Sequence, residues 1–168
     1  LLALGCDLAA ARREPENWRV PGSMRFLREL RQAGIRNYFV TGAVVERDRA
    51  GNPSGTMFEE ISALGYEIGP GRLLEGLVSS WQEKLPKRQI MLNLCRKLGI
   101  SPEHLLVVGD GRSEIASGVE FGAVTVSRLP ASASRAREIH TALKTNFILD
   151  RYSPELFPAL FASGGVCQ

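Results

Sequence analysis

Two carboxylates follow a short apolar segment in the middle of the chain. Residues 105–108 are all apolar, and Gly109-Asp110-Gly111 comes directly after them. An apolar run of this length that glycine closes predicts a strand buried on both faces. Asp110 would then lie at the carboxyl end of this strand, where ligands bind in open α/β sheets, with Glu114 one helical turn further on. Two acidic side chains in such a position suit a hard cation such as Mg²⁺. The alternative is a glycine turn with a solvated Asp110 and a Glu114 that only begins a helix.

Polar residues also end two earlier apolar segments. Asp7 follows residues 1–6, and Thr41-Gly42 follows residues 38–40. Because right-handed crossovers put the carboxyl ends of parallel strands at one edge of a sheet, we expect Asp7, Thr41 and Asp110 to converge there. Each residue is also compatible with a simpler role, Asp7 as a turn former and Thr41 as an ordinary strand end.

The elements that would position these side chains alternate along the chain. The expected strands cover residues 1–6, 38–40, 77–81, 105–108, 123–126 and 147–149, and the expected helices cover residues 23–34, 58–64, 87–98, 113–121, 134–143 and a short segment from Pro154. Ser23 is the expected N-cap of the first helix and Gly34 its C-cap. Residues 46–56 have the composition of a loop. This alternation predicts an α/β fold with three layers and a doubly wound, mainly parallel sheet.

The size and composition fit a single globular domain. The chain has 168 residues, of which 44% are hydrophobic and 23% charged. This length favours one domain over residues 1–168, with residues 43–83 as a possible small lid or irregular insertion. No apolar run approaches the roughly 20 residues that span a bilayer, so no membrane partner is expected. The N-terminal residues lack the basic region and the cleavage site of a signal peptide.

Charge and cysteine usage narrow the class of function. The formal net charge is +3, but the basic residues are scattered. A scattered charge argues against a nucleic-acid surface and allows an anionic small substrate. The three cysteines, Cys6, Cys95 and Cys167, have no CxxC spacing. Their number and spacing predict neither a disulfide framework nor a zinc site and favour a cytoplasmic protein.

The polar residues, taken in order, resemble those of the haloacid dehalogenase (HAD) superfamily. The chain follows the family's order, with an acid at Asp7, a hydroxyl at Thr41, a lysine at residue 84 or 87 and the acid pair Asp110 and Glu114. The resemblance covers nearly the whole chain. It includes the phrases VPGSMRFLRELRQAGIRNYFVTG and KLGISPEHLLVVGDGRSEI. The resemblance implies a HAD-like Rossmannoid fold, without a cap domain or with a minimal one. It also implies a Mg²⁺-dependent phosphohydrolase that acts through an aspartyl-phosphate.

In that family the phosphoryl group is handled by residues that this chain retains. Asp7 would be the nucleophile that attacks phosphorus. Thr41 and Gly42 would bind the phosphoryl oxygens, and a lysine would neutralise their charge. Lys87 opens a predicted helix, as the lysine does in many relatives, and is preferred. Lys84, in a KLP phrase, is the alternative.

The resemblance also implies a metal site and exposes one departure from the family. The implied Mg²⁺ ligands are Asp7, the backbone carbonyl of Ala9, Asp110 and Glu114. HAD phosphatases usually carry an Asp at the position of Ala9, where it serves as general acid and base. Losing such a group typically costs ~10²–10⁴-fold in rate. The segment between Asp7 and Pro21 is too short to hold a cap domain.

Three functions are therefore compatible with the sequence. The favoured one is a Mg²⁺-dependent phosphatase that acts on a phosphorylated small molecule or macromolecule. The second is a catalytically weak or inactive HAD-fold binding protein, because of Ala9. The third, a receiver-type phosphoacceptor, is disfavoured because its acceptor Asp follows a later strand, whereas Asp7 ends the first. Neither the substrate nor the oligomeric state follows from the sequence.

Overall fold

The structure is a computed structural model that describes residues 7–162. The strand predicted for residues 1–6, together with Cys6 and Cys167, lies outside the described residues. The chain divides into two compact units, and the boundary falls between Leu85 and Pro86. The prediction of a single domain over residues 1–168 stays a prediction. Each unit is a separate arrangement of helices and strands.

The first unit contains four helices and four short strands within its described part. The helices are α1 (Leu8–Arg13), α2 (Ser23–Gln32), α3 (Gly55–Ala63) and α4 (Ser80–Glu83), and the strands are β1 (Tyr38–Thr41), β2 (Glu46–Arg47), β3 (Pro53–Ser54) and β4 (Gly76–Ser79). A 3₁₀ turn covers Pro15–Asn17. Strands β1 and β4 pair in parallel, with Thr41 opposite Ser79. The two strands therefore end side by side, and each ends on a hydroxyl residue.

Residues 43–83 supply much of the core of the first unit. Val45, Ile61, Leu74 and Leu77 form one buried cluster. Partly buried side chains pack against it, among them Leu27 of α2. Burial of such side chains stabilises a fold by about 1.5–3 kcal/mol each. This segment therefore contributes to the core of the first unit, and Leu27 of α2 packs against its buried side chains.

The loop predicted over residues 46–56 is wrong, because its ends pair as a β-ribbon. Strands β2 and β3 are antiparallel. Asp48 organises the connection, where its Oδ1 accepts hydrogen bonds from the backbone N–H of Ala50 at 2.8 Å and of Asn52 at 2.9 Å. These bonds, chiefly those from Asn52, lower the pKa of Asp48. No strand signal is present in this segment, because two-residue strands are too short for an apolar alternation.

The second unit alternates regularly between helix and strand. Its helices are α5 (Lys87–Leu98), α6 (Arg112–Glu120), α7 (Ser134–Ala142) and α8 (Leu156–Ala162), and its strands are β5 (Leu106–Gly109), β6 (Val124–Arg128) and β7 (Phe147–Leu149). A 3₁₀ turn covers Pro102–His104. The strands form a parallel sheet in the order β5-β6-β7. Met91, Val107, Ile115 and Ala123 bury a common cluster between this sheet and its helices. Parallel strands joined by helices confirm the α/β class.

Most predicted elements exist, with shifts at their ends. The bounds of α5 and β7 are as predicted, and Gly99 ends α5 in the left-handed conformation. The predicted caps of α2 are each wrong by one residue, because Gly22 is the N-cap and Ala33 the C-cap. The Ser23 hydroxyl instead bonds to that of Tyr66 at 2.7 Å. Helix α1 was not predicted. None of the helices within residues 7–162 is both long and apolar enough to cross a membrane.

Candidate functional site

The turn between β5 and α6 is shaped by the side chain of Glu114. Its Oε1 accepts a hydrogen bond from the Gly111 N–H at 3.0 Å, so the carboxylate folds back over the turn. A Cβ atom at Gly111 would lie 2.5 Å from Oε1, and one at Gly109 would lie 2.9 Å from it. A side chain at either position would therefore require the flexible end of Glu114 to move from its present place.

Glu114 forms an ion pair with Lys87, the preferred candidate for the lysine of the phosphate site. Lys87 is the first residue of α5, and its Nζ lies 3.2 Å from Glu114 Oε2. The same oxygen accepts a hydrogen bond from Ser113 Oγ at 3.0 Å. Both side chains of the ion pair are largely buried, at 27% exposure for Lys87 and 11% for Glu114. Glu114 thus fixes the lysine ammonium beside the β5–α6 turn.

The environment of Glu114 favours its charged form. Burial by itself raises the pKa of this carboxyl, but the backbone hydrogen bond, the charge of Lys87 and the Ser113 hydroxyl outweigh it. The net effect is a pKa below the ordinary value of 4.5. Glu114 is therefore ionised at neutral pH, as an ion pair with Lys87 requires.

Stability should depend on pH through Glu114. A carboxyl whose pKa is lower in the folded state than in the unfolded state stabilises the fold at pH values above its unfolded-state pKa. This stabilisation is lost as the pH falls through its folded-state pKa. We expect wild type to exceed Glu114→Gln in free energy of unfolding at pH 7, and the gap to shrink below pH 4.5. Denaturant unfolding at several pH values measures this. A gap that stays constant down to pH 3 would contradict it.

Asp110 is the exposed carboxylate of the same turn. It lies directly after β5, and no hydrogen bond or ion pair links its side chain to another residue within 7–162. A free carboxylate at a strand end is a suitable ligand for Mg²⁺. Glu114 is less suitable, because both its oxygens already accept hydrogen bonds. Within residues 7–162 no three His, Cys, Asp or Glu side chains cluster as a ready metal site.

Thr41 and Gly42 form an open turn at the end of β1. Thr41 is buried, and its Oγ1 accepts a hydrogen bond from the Ala43 N–H at 3.1 Å. The hydroxyl proton of Thr41 has no acceptor among the described residues. A Cβ atom at Gly42 would find nothing within 4 Å. The turn thus has a free donor next to open space, which suits an anion.

Asp7 and Ala9 lie at the start of α1. Asp7 is the N-cap of this helix, and its Oδ1 accepts a hydrogen bond from the Ala10 N–H at 3.0 Å. The side chain is exposed, and no described residue bonds its second oxygen. Ala9 is exposed as the second residue of α1. The predicted use of its backbone carbonyl as a metal ligand stays a prediction.

The two candidate lysines have different surroundings. Lys84 is exposed, lies just after α4 with a φ of 51°, and has no ion pair within residues 7–162. Lys87 is held by Glu114, as described above. Asp7 and Thr41 belong to the first unit and Asp110 to the second. The convergence of the three residues, and the choice between the lysines, stay predictions.

Two serines of these turns were not singled out from the sequence. Ser113 donates a hydrogen bond to Glu114, and Ser79 bonds the turn that follows Thr41. Serine is so common in turns that neither position carried a distinctive signal. The pairing of β1 with β4 would have been needed to single out Ser79, since it places this residue opposite Thr41.

The chain is similar to a known protein family and to a known phosphatase. A family model described as haloacid dehalogenase-like hydrolase matches residues 19–122. A phosphoserine phosphatase of Albidiferax ferrireducens is 27% identical over 105 residues, which cover 61% of this chain and 44% of that protein. The chain therefore spans less than half of that relative.

Solved structures show the same fold. A HAD family hydrolase from Deinococcus radiodurans R1, solved with bound phosphate and sodium, matches at a TM-score of 0.59 and 21% identity, over 86% of this chain and 60% of that one. A haloacid dehalogenase-like protein of unknown function from Agrobacterium tumefaciens C58 matches at a TM-score of 0.59 and 14% identity, over 97% of this chain and 72% of that one. These matches confirm the predicted α/β fold.

Proposed function

Because the chain belongs to the haloacid dehalogenase-like hydrolases, we propose that it is a Mg²⁺-dependent phosphohydrolase that forms an aspartyl-phosphate on Asp7. The resemblance to a phosphoserine phosphatase, and a solved relative that holds phosphate, support a phosphate ester as the substrate. The substrate would be a phosphorylated small molecule or macromolecule.

The observation that carries the proposal is the ion pair between Lys87 and Glu114. Lys87 is paired with a largely buried carboxylate, whereas most lysines lie at the surface without a buried partner. An ammonium held in place in this way can stabilise a phosphoryl group without reorganising during the reaction. Glu114 would then be a positioning residue that orients Lys87. This role is favoured over direct metal binding because the Glu114 oxygens already contact three donors, the Gly111 N–H, Ser113 Oγ and Lys87 Nζ.

The proposed reaction has two steps. In the first, the free oxygen of Asp7 attacks phosphorus, and the bond from phosphorus to the leaving oxygen breaks. In the second, water attacks the aspartyl-phosphate and releases inorganic phosphate, which restores Asp7. The Thr41 hydroxyl and the Gly42 turn would hold the phosphoryl oxygens, and Lys87 would neutralise their charge.

A magnesium ion would complete the site. Asp7, Asp110 and the carbonyl of Ala9 would hold it, and Asp110 fits because it is exposed and free of other partners among the described residues. The ion would supply charge screening between carboxylates and phosphate and polarise the phosphoryl oxygens. Its ligands are hard oxygens, as Mg²⁺ prefers.

Ala9 limits which substrates can react well. Without an acid at this position, no side chain there can protonate the leaving oxygen. A leaving group that departs as a stable anion, such as an aryl oxide, needs no such proton. The proposal therefore includes a preference for good leaving groups. A HAD-fold protein that binds a phosphorylated ligand without turnover is the second candidate, and Ala9 is the observation in its favour.

The direct test is hydrolysis of p-nitrophenyl phosphate and of O-phosphoserine, with Mg²⁺ and with excess chelator. We expect Mg²⁺-dependent turnover that is faster for the aryl ester. Inorganic phosphate binding, measured by calorimetry, separates the two candidates. Phosphate binding without turnover would favour the binding protein, and neither binding nor turnover would exclude both.

Restoring the missing acid should raise activity. We expect Ala9→Asp to increase turnover of O-phosphoserine about tenfold, which is less than the usual ~10²–10⁴-fold effect of a general acid because no neighbour has been selected to support it. Ala9 is exposed, so the new side chain has room. Ala10→Asp, one position further along α1, is the control and should have no such effect. Equal rates for Ala9→Asp and wild type would contradict the placement of Ala9 at the reacting bond.

A further inference from the structure

Ser79 is a buried side chain that the proposed reaction does not use. It is the last residue of β4, is 1% exposed and lies opposite Thr41 in the parallel pair. A buried hydroxyl is costly unless it is hydrogen-bonded. Ser79 Oγ has two partners, since it donates to the Ala43 carbonyl at 2.6 Å and accepts from the Gln82 N–H at 3.0 Å. Its geometry is therefore specified on both sides.

The contact with Ala43 fixes the turn after β1. The N–H of Ala43 donates to Thr41 Oγ1 at 3.1 Å, while its carbonyl accepts from Ser79 Oγ at 2.6 Å. Both polar groups of this residue are thus held by hydroxyls from two neighbouring strand ends. Thr41 Oγ1 is the acceptor of this hydrogen bond, and its own proton has no acceptor among residues 7–162.

The second contact ties the same hydroxyl to a helix. Ser79 is the N-cap of α4, and its acceptance of the Gln82 N–H is an ordinary capping bond. Capping alone would explain a serine at this position. It would not explain the short hydrogen bond to Ala43, which is 36 residues away in the sequence. The donor side of the hydroxyl therefore has a role other than helix capping.

We propose that Ser79 is a positioning residue of the phosphate site, which holds the turn of Thr41, Gly42 and Ala43 in the conformation that receives the phosphoryl oxygens. This inference rests on the proposed function, because it assigns Ser79 a role toward the Thr41 and Gly42 subsite. Preorganised donors bind an anion better than mobile ones, since no ordering cost falls at the moment of binding.

The test compares Ser79→Ala with a variant that removes an equally buried hydroxyl from another part of the chain. Thr125 is fully buried, and its hydroxyl also makes two hydrogen bonds, both to Asn146. Thr125→Val is therefore the matched control. The measurements are the dissociation constant of inorganic phosphate with Mg²⁺, kcat and KM for p-nitrophenyl phosphate, and Tm. Ser79→Thr, which keeps the hydroxyl, tests for rescue.

We expect Ser79→Ala to weaken phosphate binding and raise KM by about tenfold, the scale of one or two lost hydrogen bonds. Thr125→Val should lower Tm without changing the phosphate dissociation constant or KM, and Ser79→Thr should restore binding.

Unchanged phosphate binding in Ser79→Ala, beside a wild type that binds phosphate, would overturn the role of Ser79 alone. A wild type that neither binds nor hydrolyses phosphate esters would overturn the proposed function and this inference with it. If Ser79→Ala does not fold, Ser79→Cys, which keeps the side-chain volume with a weaker donor, should show the same rise in KM, and an unchanged KM in it would overturn the inference.

Discussion

Replacing Asp7 by Asn should reduce Mg²⁺-dependent hydrolysis of p-nitrophenyl phosphate by at least ~10³-fold, as expected when the nucleophile of a covalent mechanism is removed. The amide has nearly the same shape, but it has no negative charge and does not form an acyl phosphate. Its oxygen can still accept the Ala10 N–H, so the cap of α1 should survive. The variant is therefore expected to keep the Tm of wild type within a few degrees.

Three further measurements make the Asp7 result specific. Asp150→Asn alters an exposed aspartate after β7 and should leave turnover unchanged. Wild type quenched in acid during turnover should retain phosphate on the protein, and Asp7→Asn should not. Activity of Asp7→Asn within tenfold of wild type would show that another group attacks phosphorus.

Replacing Lys87 by Met should lower kcat for the same substrate by ~10²–10³-fold, because the variant loses the charge that stabilises the phosphoryl group. Lys84→Met is the matched control and should stay close to wild type, since Lys84 is exposed and has no ion pair within residues 7–162. This pair of variants decides between the two lysines. Loss of activity in Lys84→Met together with retention in Lys87→Met would reverse the assignment.

Stability separates the chemical role of Lys87 from its structural one. Lys87→Met leaves a largely buried carboxylate without its cation, so the free energy of unfolding should fall by about 1–3 kcal/mol. In the double variant Lys87→Met with Glu114→Gln, the unpaired charge is gone and stability should recover. Activity should not recover, because the ammonium is still missing. A double variant that regains activity would show that Lys87 only compensates for Glu114.

Local signals in the sequence were strong for the second unit. Helix α5 has apolar residues on one face and Gly99 at its end, and its predicted bounds match the observed ones. Strand β5 is the kind of short apolar run that a parallel, buried sheet requires, and Val124 and Val126 supply the apolar signal of β6. These features depend on neighbouring residues alone, which is why periodicity and glycine placement were enough to predict them.

Local signals failed for elements that are too short or too polar to carry an apolar pattern. The β2–β3 ribbon is polar and short, and hydrogen bonds to Asp48 rather than an apolar pattern stabilise its connection. Helix α1 has six residues in a segment of mixed charge, and it packs against α3 from a later part of the first unit. Tertiary contact overrides weak propensity in such short elements.

Order, spacing and apolar runs along the chain were enough to predict the family, the α/β class and the residue types at the strand ends. The partner that each polar side chain takes could be identified only from the way the folded elements pack. Glu114 lies against Lys87 and the Gly111 N–H, while its role as a metal ligand stays a prediction. Ser79 became relevant only through its hydrogen bond to Ala43. A hydrogen bond requires two groups within about 3 Å of each other. That proximity is a property of how separate elements pack, which no local pattern encodes.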